Sequence, residues 1–186
     1  NIANFGGDPD KVTLWGQSAG SISAFDQMAM YDGDAVYKDK PLFRAAILNS
    51  GTVLPTEPVD SRKAKAIFKS VVEAANCSAS LSKLECLRSL PFEQFYHAAN
   101  SVPRILDNSS LALSYLPRPD GTILTDSPDV LARQGRYYAV PAIVTDQEDE
   151  GTLFSFAQID VNSTNLLINY LSQNFFDNAT KEQVAE

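Results

Sequence analysis

The chain has 186 residues, 44% of them hydrophobic and 20% charged, and its 15 Lys and Arg against 23 Asp and Glu give a formal charge of −8. That composition supports a globular domain with a core. The acidic balance, with no basic stripe to meet phosphates, argues against nucleic-acid binding and against attraction to an anionic membrane surface, and no apolar run reaches the length of a transmembrane helix.

The chain opens on Asn1-Ile2-Ala3-Asn4-Phe5-Gly6-Gly7-Asp8-Pro9. This stretch has no initiator Met, no charged n-region and no apolar h-region, so it is not a signal peptide and reads as the middle of a longer chain. Residues 11–15 are predicted as a strand and 19 to about 31 as a helix, joined by Gly16-Gln17-Ser18-Ala19-Gly20. Residues 33–40 form a polar loop and 43–49 a second strand. A helix follows over 61–75, where Ala64, Ile67, Phe68, Val71, Val72 and Ala75 fall on one face at helical spacing. Residues 81–90 and 91–99 are short helices, with Pro91 at a first-turn position. Residues 111–116 are extended and end in the turn chemistry of Pro117-Arg118-Pro119-Asp120-Gly121. A short helix over 128–134, a third buried strand over 140–145 and a helix over 165–175 complete the pattern. Strands alternating with helices predict an α/β fold, a mostly parallel sheet with helices on both faces. No repeat, low-complexity tract or linker divides the chain.

The chemistry concentrates at two places. Gly16-Gln17-Ser18-Ala19-Gly20, behind the apolar run Val12-Thr13-Leu14-Trp15, reads as a strand turning sharply into a helix with a serine at the apex. Glycine on either side of the serine relieves backbone crowding. The helix behind it points its positive end at a developing oxyanion. The second place is Asp146-Gln147-Glu148-Asp149-Glu150-Gly151-Thr152, which follows the third strand directly. Active sites of open parallel sheets sit at the carboxyl ends of strands, and an acid there can orient a catalytic histidine; a solvated acidic loop is the other reading.

Cys77 and Cys86 are nine apart with no His or Cys cluster beside them, which makes a zinc site unfavourable. They are either a disulfide closing a small loop, which implies an oxidising compartment, or two buried thiols. Four N-glycosylation sequons begin at Asn76, Asn108, Asn162 and Asn178 and point the same way, toward secretion; at Asn76 a bridge at Cys77 would compete with glycan attachment.

The segments now described, together with Ala46-Ile47-Leu48-Asn49-Ser50-Gly51 and Glu85-Cys86-Leu87-Arg88, occur in an order that resembles the type-B carboxylesterase/lipase family of α/β-hydrolases. Within it the chain is most similar to the secreted fungal lipases of the Geotrichum and Candida rugosa type. The resemblance covers residues 1 to about 155 and implies that the chain is an internal fragment of a single α/β-hydrolase domain, a partial α/β-hydrolase fold. It implies a serine ester hydrolase acting on acylglycerols, secreted and free of metal or organic cofactor. Ser18 matches the nucleophile, Glu150 the acid of the triad, and Ala19 the residue whose backbone N–H is one oxyanion donor. Cys77 and Cys86 match a family disulfide. Leu153 and Phe154 follow the acid where the family lines its acyl pocket, with Leu113 and Leu116 as further candidates; apolar residues at these positions serve equally well as core. Gln17 departs from the family pattern, in which a glutamate precedes the nucleophile.

The family orders its triad Ser, acid, His. The single histidine, His97, lies between Ser18 and Glu150 in a helical run and is not a candidate. The resemblance places the catalytic histidine beyond Glu186. It places the Gly-rich loop with the other oxyanion donors, and the lid that meets a lipid interface, before Asn1. Without its base a serine nucleophile loses about a million-fold in turnover, so the 186 residues alone are expected to be inactive. The resemblance also leaves room for a short-chain carboxylesterase, for a non-catalytic esterase-like binding protein, against which the presence of both Ser18 and Glu150 argues, and for an inactive truncated product.

Overall fold

The computed structural model describes residues 1–109, 111–176 and 178–185. The chain divides into two compact units, one formed by Asn1–Ala64 with Leu116–Glu148 and the other by Lys65–Tyr115 with Asp149–Glu186.

The first unit is built on three parallel strands. Strand β1 (Thr13–Gln17) pairs with β4 (Ala45–Asn49), and β4 with β5 (Ala142–Thr145), in the order β1-β4-β5. Between β1 and β4 the chain makes helix α1 (Ala19–Ala29) and a two-residue antiparallel hairpin, β2 (Val36–Tyr37) with β3 (Lys40–Pro41). The hairpin falls inside the segment expected to be a polar loop. Its two turn residues, Lys38 and Asp39, both take positive φ, a turn that usually advertises itself with Asn-Gly.

Side chains alternate across a strand, so Leu14, Ala46 and Leu48 share one face of the sheet. On that face they join Ala24, Phe25, Met28 and Ala29 of α1, with Phe43, Leu124 and Leu131, in one apolar cluster. Leu131 comes from α5 (Pro128–Gln134), a helix with proline in its first turn and Gly135 in the left-handed region at its end. The other face carries Trp15, Ile47 and Ile143 in register, and Trp15 is 76% exposed. Strand β5, expected to be buried, is instead largely exposed, with Ile143 and Val144 both open to solvent. It is an edge strand, and among the described residues no element covers its outer face.

The turn expected at 117–121 closes instead over residues 120–124, through Asp120. Its Oδ1 accepts from the amides of Thr122, Ile123 and Leu124 at 2.9, 2.7 and 3.2 Å, and Gly121 takes φ 76°. These bonds stabilise the ionised carboxylate and hold its pKa below the ordinary value.

The second unit is helical. It contains most of α2 (Arg62–Ala74), then α3 (Lys83–Ser89), α4 (Phe92–Ala99), α6 (Glu150–Ser155), α7 (Thr164–Asn174) and α8 (Lys181–Ala185). Helix α3 starts where the Ser82 side chain accepts from the amide of Glu85, and α7 where Ser163 does the same for Leu166. Val71 and Val72 of α2 bury with Cys77, Leu87, Ala98 and Val102, and Ile67 and Ala75 pack against them. Phe68, expected on the same face, is about half exposed. At 100° per residue it lies inside that stripe, between Ala75 and Val72, so its place on the helix alone does not bury it. Cys77 and Cys86 are joined in a disulfide with Cα atoms 5.8 Å apart, which decides between the two readings of the cysteines. Helices α6 and α8 were not expected; α6 begins inside the acidic run, where the charges hid a one-and-a-half-turn helix. No helix among the described residues is long and apolar enough to cross a membrane.

Candidate active site

Ser18 occupies the junction of β1 and α1 with φ 53° and ψ −121°. A non-glycine residue there is strained by about 1–3 kcal/mol, and it persists only because its surroundings over-determine it. Two sets of backbone hydrogen bonds say how. The Ser18 amide donates to the carbonyl of Asn49, the last residue of the neighbouring strand, at 2.9 Å. The Ser18 carbonyl accepts from the amides of Ser21 and Ile22 at 2.9 and 3.0 Å, starting α1. The Ser18 side chain makes no cap bond to the helix, so its hydroxyl is not committed there.

Of the two glycines around Ser18, the structure requires one. A Cβ on Gly16 would land on the carbonyl of Gly20 and 2.6 Å from the amide nitrogen of Ser21, so strand and helix approach too closely for any side chain. A Cβ on Gly20 would meet nothing within 4 Å among the described residues. The expectation of relief on both sides is corrected accordingly: Gly20 contributes the backbone that crowds Gly16.

Ala19 is the first residue of α1, where the amide has no carbonyl one turn earlier to bond. The helix runs 11 residues, so its N-terminal partial positive charge stands directly behind Ser18. Gln17 is exposed and pairs in register with Asn49. Trp15 Nε1 donates to the Asn49 side-chain oxygen at 3.2 Å.

At the next strand, the amide of Ser50 donates to the carbonyl of Thr145 at 2.7 Å. The carboxyl ends of β1, β4 and β5 are therefore stitched side by side, and the acidic segment leaves the sheet two strand spacings, about 10 Å, from the Ser18 position. Asp146 and Glu148 belong to the first unit. Glu150 belongs to the second, where it is exposed and opens α6, with Asp149 before it as N-cap. Negative charge in a first helical turn is favourable.

Of the residues expected to line an acyl pocket, Leu113 borders a cavity of about 240 Å³ in the second unit with Val102, Pro103, Ile105 and Tyr115. Leu153 is exposed and Phe154 half-buried on α6, and Leu116 is half-buried at the start of the returning segment of the first unit. His97 is exposed on α4 beside Tyr96. Asn76, Asn108, Asn162 and Asn178 are all exposed; Ser110, the third residue of the Asn108 sequon, lies outside the described residues.

Two features were not read from the sequence. Gly51 lies against the elbow, beside the Ser18 carbonyl and the Ser21 side chain. Asp26, on the buried side of α1, has both carboxylate oxygens buried without a hydrogen-bond partner, and burial lifts its pKa to about 6. It borders a cavity of about 260 Å³ with Met30, Arg118, Ile123 and Leu124. An acid inside the apolar run Ala24-Phe25-Asp26-Gln27-Met28 was the signal available.

A parallel sheet whose first strand ends in a strained serine at a helix N-terminus is the arrangement of an α/β-hydrolase. The chain belongs to the carboxylesterase family, whose model matches residues 1–186. It is 59% identical over 184 residues to the secreted triacylglycerol lipase LIP1 of Gibberella zeae, covering 99% of this chain and 31% of that protein. It is 41% identical over 183 residues to lipase 2 of Geotrichum candidum, covering 95% of this chain and 32% of that protein. Among solved structures, the crystal structure of Aspergillus niger EstA superposes with a TM-score of 0.79 at 28% identity, over 98% of this chain and 34% of that one. The chain thus spans about a third of the length of the curated relatives it matches.

Proposed function

We propose that this chain is the nucleophile-bearing part of a secreted serine ester hydrolase whose substrates are triacylglycerols. The observation that carries the reading is Ser18 at a strained apex between β1 and α1. The likeness to a secreted triacylglycerol lipase and to a Geotrichum lipase supports the substrate class and the secreted location. The disulfide and the exposed sequon asparagines agree with an oxidising, glycosylating route.

In this reading Ser18 Oγ attacks the ester carbonyl and forms an acyl-enzyme. A histidine supplied by chain outside these 186 residues takes the proton and later gives it to the leaving alcohol. Glu150 holds that imidazole and stabilises its cation. The backbone N–H of Ala19 donates to the oxyanion, one donor of a hole completed elsewhere. Water then releases the acid. Leu113, Leu116, Leu153 and Phe154 contribute apolar lining for the acyl chain, and a lid outside this chain meets the lipid surface. Both units belong to one hydrolase domain of the complete protein.

The structural likeness to EstA and to a thermophilic pNB esterase (TM-score 0.72) supports a second reading, a carboxylesterase for short esters. The test uses the complete protein that contains this chain. A fluorophosphonate should label Ser18, and Ser18→Ala should abolish both labelling and turnover. Rates on emulsified long-chain triacylglycerol against soluble short-chain esters then separate the two readings. Absence of labelling on a folded protein would sink both and favour a binding role.

A further inference from the structure

The nucleophile's backbone rests on a second strained turn. At the end of β4, in register with the end of β1, Ser50 takes φ 53° and Thr52 takes φ 107°. The second value is a true outlier for a β-branched residue. Between them stands Gly51. A Cβ on Gly51 would lie 2.8 Å from the carbonyl oxygen of Ser18, 2.7 Å from Cβ of Ser21 and 3.0 Å from Oγ of Ser21. The first is backbone of the nucleophile itself, and it also accepts the two amide bonds that start α1, so it has no freedom to step aside. Ser21 is fully buried and its hydroxyl has no hydrogen-bond partner, so the serine there works as a small filler and not as a polar anchor.

Two neighbouring strands therefore end in two strained turns that touch. One carries Ser18. The other is held to the sheet by the Ser50 amide on the Thr145 carbonyl and receives the Ser18 amide on the Asn49 carbonyl. Strain stored at a site persists when the surrounding structure enforces it, and here the enforcing element is the 50–52 turn.

We infer that Gly51 is a positioning residue for the nucleophile: its bare Cα sets the height of the Ser18 carbonyl, and through it the placement of Ser18 Oγ above the sheet. The inference rests on the reading of Ser18 as nucleophile. It predicts a sensitivity of the chemical step to a residue that touches no substrate.

The experiment compares four forms of the complete protein on a soluble ester: unmodified, Ser18→Ala, Gly51→Ala, and the double variant Ser21→Gly/Gly51→Ala. A misplacement of up to an ångström at a reacting group costs up to about a hundred-fold, so Gly51→Ala should lower kcat about 10- to 100-fold with KM changed less than about threefold. Fluorophosphonate labelling of Ser18 should slow by the same factor. The double variant removes the Cβ and Oγ that the new methyl meets but leaves its contact with the Ser18 carbonyl. It should regain much of the lost melting temperature and keep the low kcat, and it carries the test if Gly51→Ala alone does not fold. A folded Gly51→Ala or double variant with unchanged kcat overturns the inference, even where the melting temperature falls. Turnover surviving in Ser18→Ala overturns instead the reading beneath it.

Discussion

The amide of Ser18 donates to the carbonyl of Asn49 at 2.9 Å, so the apex that ends one strand is pinned by the final residue of its neighbour. That bond takes the place of the next rung of the β1–β4 ladder, whose last paired residues are Gln17 and Asn49. The consequence is that the elbow is held by the sheet and not by its own side chain.

The two glycines of the motif should behave differently. Gly16→Ala places a methyl on backbone atoms of the first turn of α1, which no rotamer change relieves. It should cost about 3 kcal/mol or more and leave little soluble protein. Gly20→Ala finds open space among the described residues and lies in a helix, where alanine is favoured by about 1 kcal/mol. Denaturant unfolding of both variants of the complete protein checks the contrast, and equal losses would contradict it.

Asp26 should make stability depend on pH. Its folded-state pKa of about 6 stands above the ordinary value of 3.8 because burial disfavours the charge. The fold therefore prefers the protonated form. The contribution is fully present below about pH 4 and is lost as pH rises through 6, amounting to no more than about 3 kcal/mol. Asp26→Asn removes the titration while keeping the size. Melting temperatures from pH 4 to 8 should fall less steeply for the variant than for the parent; parallel curves would show that Asp26 is paired or hydrated in the complete protein.

The disulfide closes a loop with a sequence separation of 9 over a small apolar cluster. Loop-closure entropy for that length is worth about 2.5 kcal/mol. Cys77→Ala/Cys86→Ala should lower unfolding stability by that order. A protease should then cut first between residues 75 and 90, which peptide mapping by mass spectrometry would reveal.

The hairpin turn offers the opposite outcome. Lys38 and Asp39 sit at φ 51° and 61°, the region that Asn and Gly enter at least cost. Lys38→Asn/Asp39→Gly should raise stability by about 1 kcal/mol through relief of left-handed strain. Chemical denaturation would register the gain, and no change would mean the turn relaxes without cost.

Much of this molecule was legible from its residues alone. Periodicity located β1, α1, β4, α2 and α5 because each couples one apolar face to a single cluster. The elbow was legible because a strand-to-helix turn with a serine at its apex has few ways to be written. Other features depended on contacts between residues distant in sequence. The hairpin over 36–41 lacks Asn-Gly, and its pairing forms regardless of turn propensity. Strand β5 reads as a buried run but lies at the sheet edge, because burial depends on which element lands beside a strand and not on its own letters. Gly16 and Gly20 look alike in the sequence, yet only Gly16 is crowded, since the crowding comes from the path of α1. Gly51 is 33 positions from Ser18, and no local pattern announces that its Cα meets the Ser18 carbonyl. Local chemistry determined which residues can turn, alternate or react. Close packing of backbones brought together by the parallel sheet decided which of them are indispensable.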